Sequence, residues 1–65
     1  MNGFENERLI RLDEVERLVG LKHSTIYLLI QSGEFPRQIP VTKRSVRWRL
    51  SEIQRWIEER AALAA

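Results

Sequence analysis

The residues that invite chemistry first are the cations Lys43, Arg44, Arg47 and Arg49, crowded into one short stretch with no acid among them. Guanidinium and ammonium groups at that density suit phosphate oxygens, and an arginine can also enter a narrow minor groove and read its shape. Each phosphate neutralised releases condensed counterions, so such a ridge implies salt-sensitive binding to a polyanion. A row of charges on an exposed strand also blocks edge-to-edge aggregation, a role that needs no ligand. The charge distribution favours the ligand. Residues 1–16 carry Arg8 and Arg11 against Glu5, Glu7, Asp13, Glu14 and Glu16, a net −3. Residues 17–49 carry Arg17, Lys22, Arg37 and the four ridge cations against Glu34 alone, a net +6, and residues 50–65 return to −1. A basic middle between acidic ends is the pattern of a polyanion-binding face in a chain whose total charge is only +2.

A second group lies upstream, at His23, Ser24, Thr25, Tyr27, Leu28 and Gln31. On a helix that turns about 100° per residue, Ile26, Leu29 and Ile30 form an inward stripe while Ser24, Tyr27, Leu28 and Gln31 point away. That outward side carries no acid to repel phosphate, and its hydroxyl and amide groups suit base edges or phosphates. Leu28 fits a thymine methyl or a partner protein, or is simply one exposed leucine. His23, at the start of the helix, is placed to donate to a phosphate or a guanine acceptor.

Catalysis and metal binding find no comparable support. The chain has no cysteine and one histidine, too few ligands for zinc, and Glu58 with Glu59 reads as a solvated pair. It also lacks a glycine-rich phosphate loop and a nucleophile elbow. The expectation is a non-enzyme without metal or cofactor. With 65 residues, 43% of them hydrophobic and 31% charged, the chain is one globular domain. At that size folding hides only about 60% of the surface, and no disulfide is available as a staple. No apolar run approaches the roughly 18 residues needed to span a bilayer, and the start lacks a basic signal-peptide region. The expected location is cytoplasmic, with no membrane partner.

The elements that must position both groups follow from periodicity and punctuation. Residues 1–7 read as a flexible arm and residues 8–65 as the domain. Leu9 to Leu12 is β-compatible; Asp13 and Glu14 then open a helix whose stripe is Val15, Leu18 and Val19, closed by Gly20. A short link leads to the second helix, which ends at Ser32-Gly33, and the pair outlines a helix-turn-helix. Phe35-Pro36 forbids further helix, so the chain becomes extended. Ile39 and Val41, then Val46 and Trp48, alternate with polar, charged or proline positions on either side of Thr42–Ser45, a hairpin with those four apolar residues inward and the cations at its tip and outer face. Without glycine at its turn the hairpin needs a looser loop than a two-residue turn. Ser51 and Gln54 form a capping box for a third helix from about Glu52 to Leu63, with Ile53, Trp56 and Ile57 inward. The predicted fold is a small α+β winged helix-turn-helix, three helices with a β-hairpin wing between the second and third, and with Trp48 and Trp56 in its core.

The residues that carry this outline also resemble a known family. Leu9-Ile10-Arg11-Leu12-Asp13-Glu14-Val15, Gly20-Leu21, Ser24-Thr25-Ile26-Tyr27, Leu29-Ile30, Gly33-Glu34-Phe35-Pro36, Arg44-Ser45-Val46 with Trp48, and Ser51-Glu52-Ile53 with Trp56-Ile57 look like the AlpA-type prophage regulators. The resemblance covers residues 8 to about 60. It implies a winged helix-turn-helix similar to the DNA-binding part of MerR-type regulators and to excisionases, with His23–Gln31 entering the major groove and the wing around Arg44 on phosphate or minor groove. Lys22 stands where the family often has a serine cap, which suggests a later start for the second helix, capped by Ser24. His23 and Leu28 replace residues that are often basic in the family. Arg47 replaces a residue that is often small.

The expected function is sequence-specific recognition of double-stranded DNA by a transcriptional regulator of a prophage or integrated element. Lys22, Arg37, Lys43, Arg44, Arg47 and Arg49 would hold phosphates or the wing. One helix and wing cover about a half-site, so tight binding is expected to need two or more copies, a homo-oligomer on DNA. Two alternatives stand beside it: an excisionase that bends DNA at an attachment site, and a protein-interaction adaptor using Tyr27, Leu28 and the third helix.

Overall fold

Apolar spacing and two glycines set the helical half of the fold. The computed structural model describes residues 7–64, ordered as β1 (Leu9–Ile10), α1 (Leu12–Val19), α2 (His23–Gln31), β2 (Ile39–Pro40), β3 (Val46–Arg49) and α3 (Leu50–Ala64). Gly20 closes α1 at φ 73°, a left-handed conformation that a side chain resists. At the end of α2 the amide of Gly33 donates to the Ile30 carbonyl at 3.1 Å and that of Glu34 to the Leu29 carbonyl at 2.8 Å, the paired bonds of a Schellman motif. Gly33 has φ 78° with open space where a Cβ would stand. The cost of Gly33→Ala is therefore conformational, about 1 kcal/mol by denaturant unfolding.

The strands form one antiparallel sheet in the order β1-β3-β2, with Ile10 opposite Trp48 and Ile39 opposite Arg47. Residues directly opposed across a ladder share a face, so Ile10, Trp48 and Val46 look one way while Leu9, Arg49, Arg47 and Ile39 look the other. This corrects the expected inner face of the hairpin. Ile39 lies on the side of Arg47 and is half-buried, and Val41 is exposed. A register shifted by one residue exchanges the faces, and a two-residue β2 containing Pro40 carries too little pattern to fix it. The loop between β2 and β3 is the looser kind expected: the Val41 and Thr42 amides both donate to the Ser45 carbonyl, and Thr42 Oγ1 accepts from the Arg44 amide at 3.2 Å.

Ile10, Val15, Ile26, Ile30, Phe35, Trp48 and Ile53 make the core, drawn from every helix and from the sheet. Phe35 belongs to it although its sequence context marks only a helix stop. Trp48 is fully buried and donates its indole N–H to the Pro36 carbonyl at 3.0 Å. Trp56 is half-buried, edge-on to Phe35 with ring centroids 4.8 Å apart, and donates to the Glu34 carbonyl at 2.8 Å. The two tryptophans thus pin the Glu34–Pro36 loop between them. Leu18, expected inward, is exposed over 43% of its surface.

α3 begins at Leu50, directly after β3, because the Leu50 amide finds its acceptor in the Arg8 carbonyl at 2.8 Å. Ser51 therefore lies inside the helix and the expected capping box does not form; its hydroxyl donates to the Glu7 carboxylate at 3.3 Å. Of the expected arm, residues 1–6 lie outside the described residues. Glu7 is described, and its carboxylate also stands 4.0 Å from Arg49 Nε. The architecture is an α+β winged helix-turn-helix, with β2 and β3 as the wing.

Candidate nucleic-acid interface

α2 starts at His23, with Lys22 in extended conformation before it and no cap from its own side chain. The helix is capped from outside. Glu16 of α1 accepts the His23 amide on Oε2 at 2.7 Å, and the same oxygen lies 3.2 Å from His23 Nδ1. The carboxylate supplies both the acceptor and the negative charge that a helix start favours. Ser24 is accordingly not the cap, contrary to expectation, and sits exposed within the first turn.

The outward side of α2 offers Ser24, Thr25, Leu28 and Gln31, all exposed, with Leu28 showing 65% of its surface. Tyr27, expected on this side, is half-buried, with its ring centroid 6.3 Å from that of Trp48. It flanks the face rather than standing on it. No charged residue interrupts α2 from Ser24 to Gln31, so the surface is neutral, polar and centred on one leucine.

The expected cations divide between two surfaces. Lys43 and Arg44 lie exposed at the wing tip, and Arg44 and Arg47 line a shallow depression with Arg11, Leu12, Asp13 and Glu16. Arg47 is half-buried and donates from Nη1 to the Val46 carbonyl at 2.8 Å. Arg37 and Arg49 instead face the groove between the 33–39 loop and α3, beside Glu52, Arg55 and Glu59. In that groove Arg60 reaches the Glu34 carbonyl at 3.1 Å and stacks 5.0 Å from the Trp56 ring. The ridge of four is thus a wing group of Lys43, Arg44 and Arg47, with Arg49 turned to a mixed-charge groove.

Glu16 joins the wing to α2. It borders the Arg44 and Arg47 depression and caps α2 at His23, so one residue touches both the wing depression and the helix start. Sequence reasoning missed Glu16, and seven residues of separation across a turn give no local signal that could have revealed it. It also missed that Asp13 and Glu16 border the arginines, which tempers the positive field of the wing. Among the described residues no cluster of three or more potential metal ligands occurs, and no helix is long and apolar enough to cross a membrane.

Comparison with known proteins places this geometry in a family. A family model described as "Prophage CP4-57 regulatory protein (AlpA)" matches residues 8–61, the span from β1 into α3. A protein of Enterobacteria phage P4, described as "Uncharacterized protein ORF88", is 46% identical over 56 residues. That match covers 86% of this chain and 64% of the relative's length. With the helix-turn-helix, the wing and the matched residues all in one span, the chain belongs to the AlpA family of phage-associated regulatory proteins.

Proposed function

We propose that the protein is a sequence-specific double-stranded DNA-binding transcriptional regulator of a prophage or similar integrated element. The observation that carries this reading is that Glu16 both caps α2 at His23 and borders the depression lined by Arg44 and Arg47 of the wing. α2 in the major groove would present Ser24, Thr25 and Gln31 to base edges and Leu28 to a thymine methyl. The wing cations would then hold phosphate or minor groove, with the exposed Lys22 side chain as a further phosphate contact. Two or more copies on adjacent half-sites would supply the affinity that one module lacks.

Selection from randomised duplex DNA at near-physiological salt tests the function. An enriched motif is the expected result, and phased repeats of it would turn the reading toward excision. A pool without enrichment would refute the proposal and leave protein interaction as the role of the α2 face. Leu28→Ala sharpens the same experiment. Because Leu28 is so exposed, its loss is expected to change stability by less than about 0.5 kcal/mol. Binding to the selected motif should nevertheless weaken several-fold and lose preference at a thymine, as read by fluorescence anisotropy.

A further inference from the structure

We propose that Glu16 is a positioning residue that holds His23 in one tautomer, so that the outward ring nitrogen accepts a hydrogen bond from an amino group on a base edge. The inference deepens the DNA-binding reading and rests on it. Glu16 Oε2 accepts the His23 amide at 2.7 Å and lies 3.2 Å from Nδ1. An ionised carboxylate has only lone pairs to offer, so a contact of that length is a hydrogen bond when Nδ1 carries the proton, and the carboxylate favours that tautomer. In a neutral imidazole the lone pair is then on Nε2. Carboxylate partners fix histidine tautomers in metal sites by the same logic.

Exposure and charge point the same way. The His23 side chain is 67% exposed, so the ring edge away from Glu16 is open to a ligand. The carboxylate already occupies the position where an anion would meet the start of α2, and it disfavours a phosphate beside this ring. The partner that suits Nε2 is a neutral donor. In the major groove the base-edge donors are the adenine N6 and cytosine N4 amino groups. His23 thereby changes from the expected phosphate or guanine contact to a specificity residue, and its partner is set by a residue of another helix.

Two measurements on the full chain test this separately. Imidazole nitrogen chemical shifts at alkaline pH report the tautomer without DNA. The expected result is Nδ1–H in the wild type, the intrinsically preferred Nε2–H in Glu16→Ala, and return to Nδ1–H in Glu16→Gln, whose amide oxygen still accepts. A wild-type ring protonated at Nε2 overturns the proposal. The second measurement uses the motif selected by the wild type and identifies the base-pair column that flattens in His23→Ala. Replacing the base there with an analogue that lacks the amino group, purine for adenine or 2-pyrimidinone for cytosine, should weaken binding about fivefold. Removing a purine N7 there should have no effect. Sensitivity to N7 and indifference to the amino group would mean that Nε2 donates, and overturns the proposal. A motif without any His23-dependent column removes the base contact but leaves DNA binding standing, whereas no motif at all removes both.

Discussion

Trp48→Ala is expected to be the most destabilising substitution in the core, at about 3–5 kcal/mol. The side chain is fully buried, opposite Ile10 across the sheet and beside Tyr27 of α2, so its loss opens a cavity shared by the sheet and helices. Cutting a buried tryptophan to alanine costs about 3–5 kcal/mol. A domain of this length has a total stability of roughly 3–10 kcal/mol, so that one change removes between about a third and all of it. The Pro36 carbonyl also loses the indole N–H as its partner. Urea unfolding followed by circular dichroism checks the expectation. Trp48→Phe keeps much of the packing while losing the indole bond and part of the ring volume, and should cost less than Trp48→Ala, about 2 kcal/mol. Trp56→Ala should cost less than Trp48→Ala because Trp56 is only half-buried. Equal losses at the two positions would contradict the core described.

The second large effect is electrostatic. In the double variant Arg44→Ala/Arg47→Ala, affinity for the selected duplex is expected to fall roughly tenfold to a hundredfold at near-physiological salt. The slope of log K against log salt should become shallower by about two, because each arginine removed leaves one phosphate with its counterions still condensed. The single variants should differ. Arg44 sits exposed at the wing tip, whereas Arg47 already spends one guanidinium nitrogen on the Val46 carbonyl, so Arg44→Ala should account for the greater share. Arg49→Ala should have little effect, because Arg49 faces the groove by α3 and lies near Glu7. Anisotropy titrations over a salt series read all four variants. An unchanged salt slope in the double variant would mean that the wing holds no phosphate.

The contrast between Arg47 and Arg49 shows where the sequence is legible and where it is not. Alternation along one strand puts both on the outer face, and the sheet register agrees. Their neighbours differ, Ile39 of the same hairpin opposite Arg47 and Leu9 of a distant segment opposite Arg49, and local pattern does not specify those pairings. Helices α1 and α2 are legible because a 3.6-residue apolar stripe and a glycine stop reinforce each other. For α3 the stripe is legible but the start is not: the Arg8 carbonyl, far away in sequence, takes the Leu50 amide and lets the helix begin before the serine that resembles a cap. Phe35 is hidden by Pro36, since a signal for breaking a helix says nothing about burial. The Glu16 cap is invisible for the same kind of reason, being made only after α1 and α2 pack.

The α2 face and the wing are proposed to engage one duplex together. Amide chemical-shift mapping of the labelled protein, titrated with its selected duplex, tests it most directly. The largest changes are expected along Ser24–Gln31 and across Thr42–Arg47, with the groove between the 33–39 loop and α3 nearly unmoved. Changes concentrated in that groove, or confined to α2 with the wing silent, would contradict it.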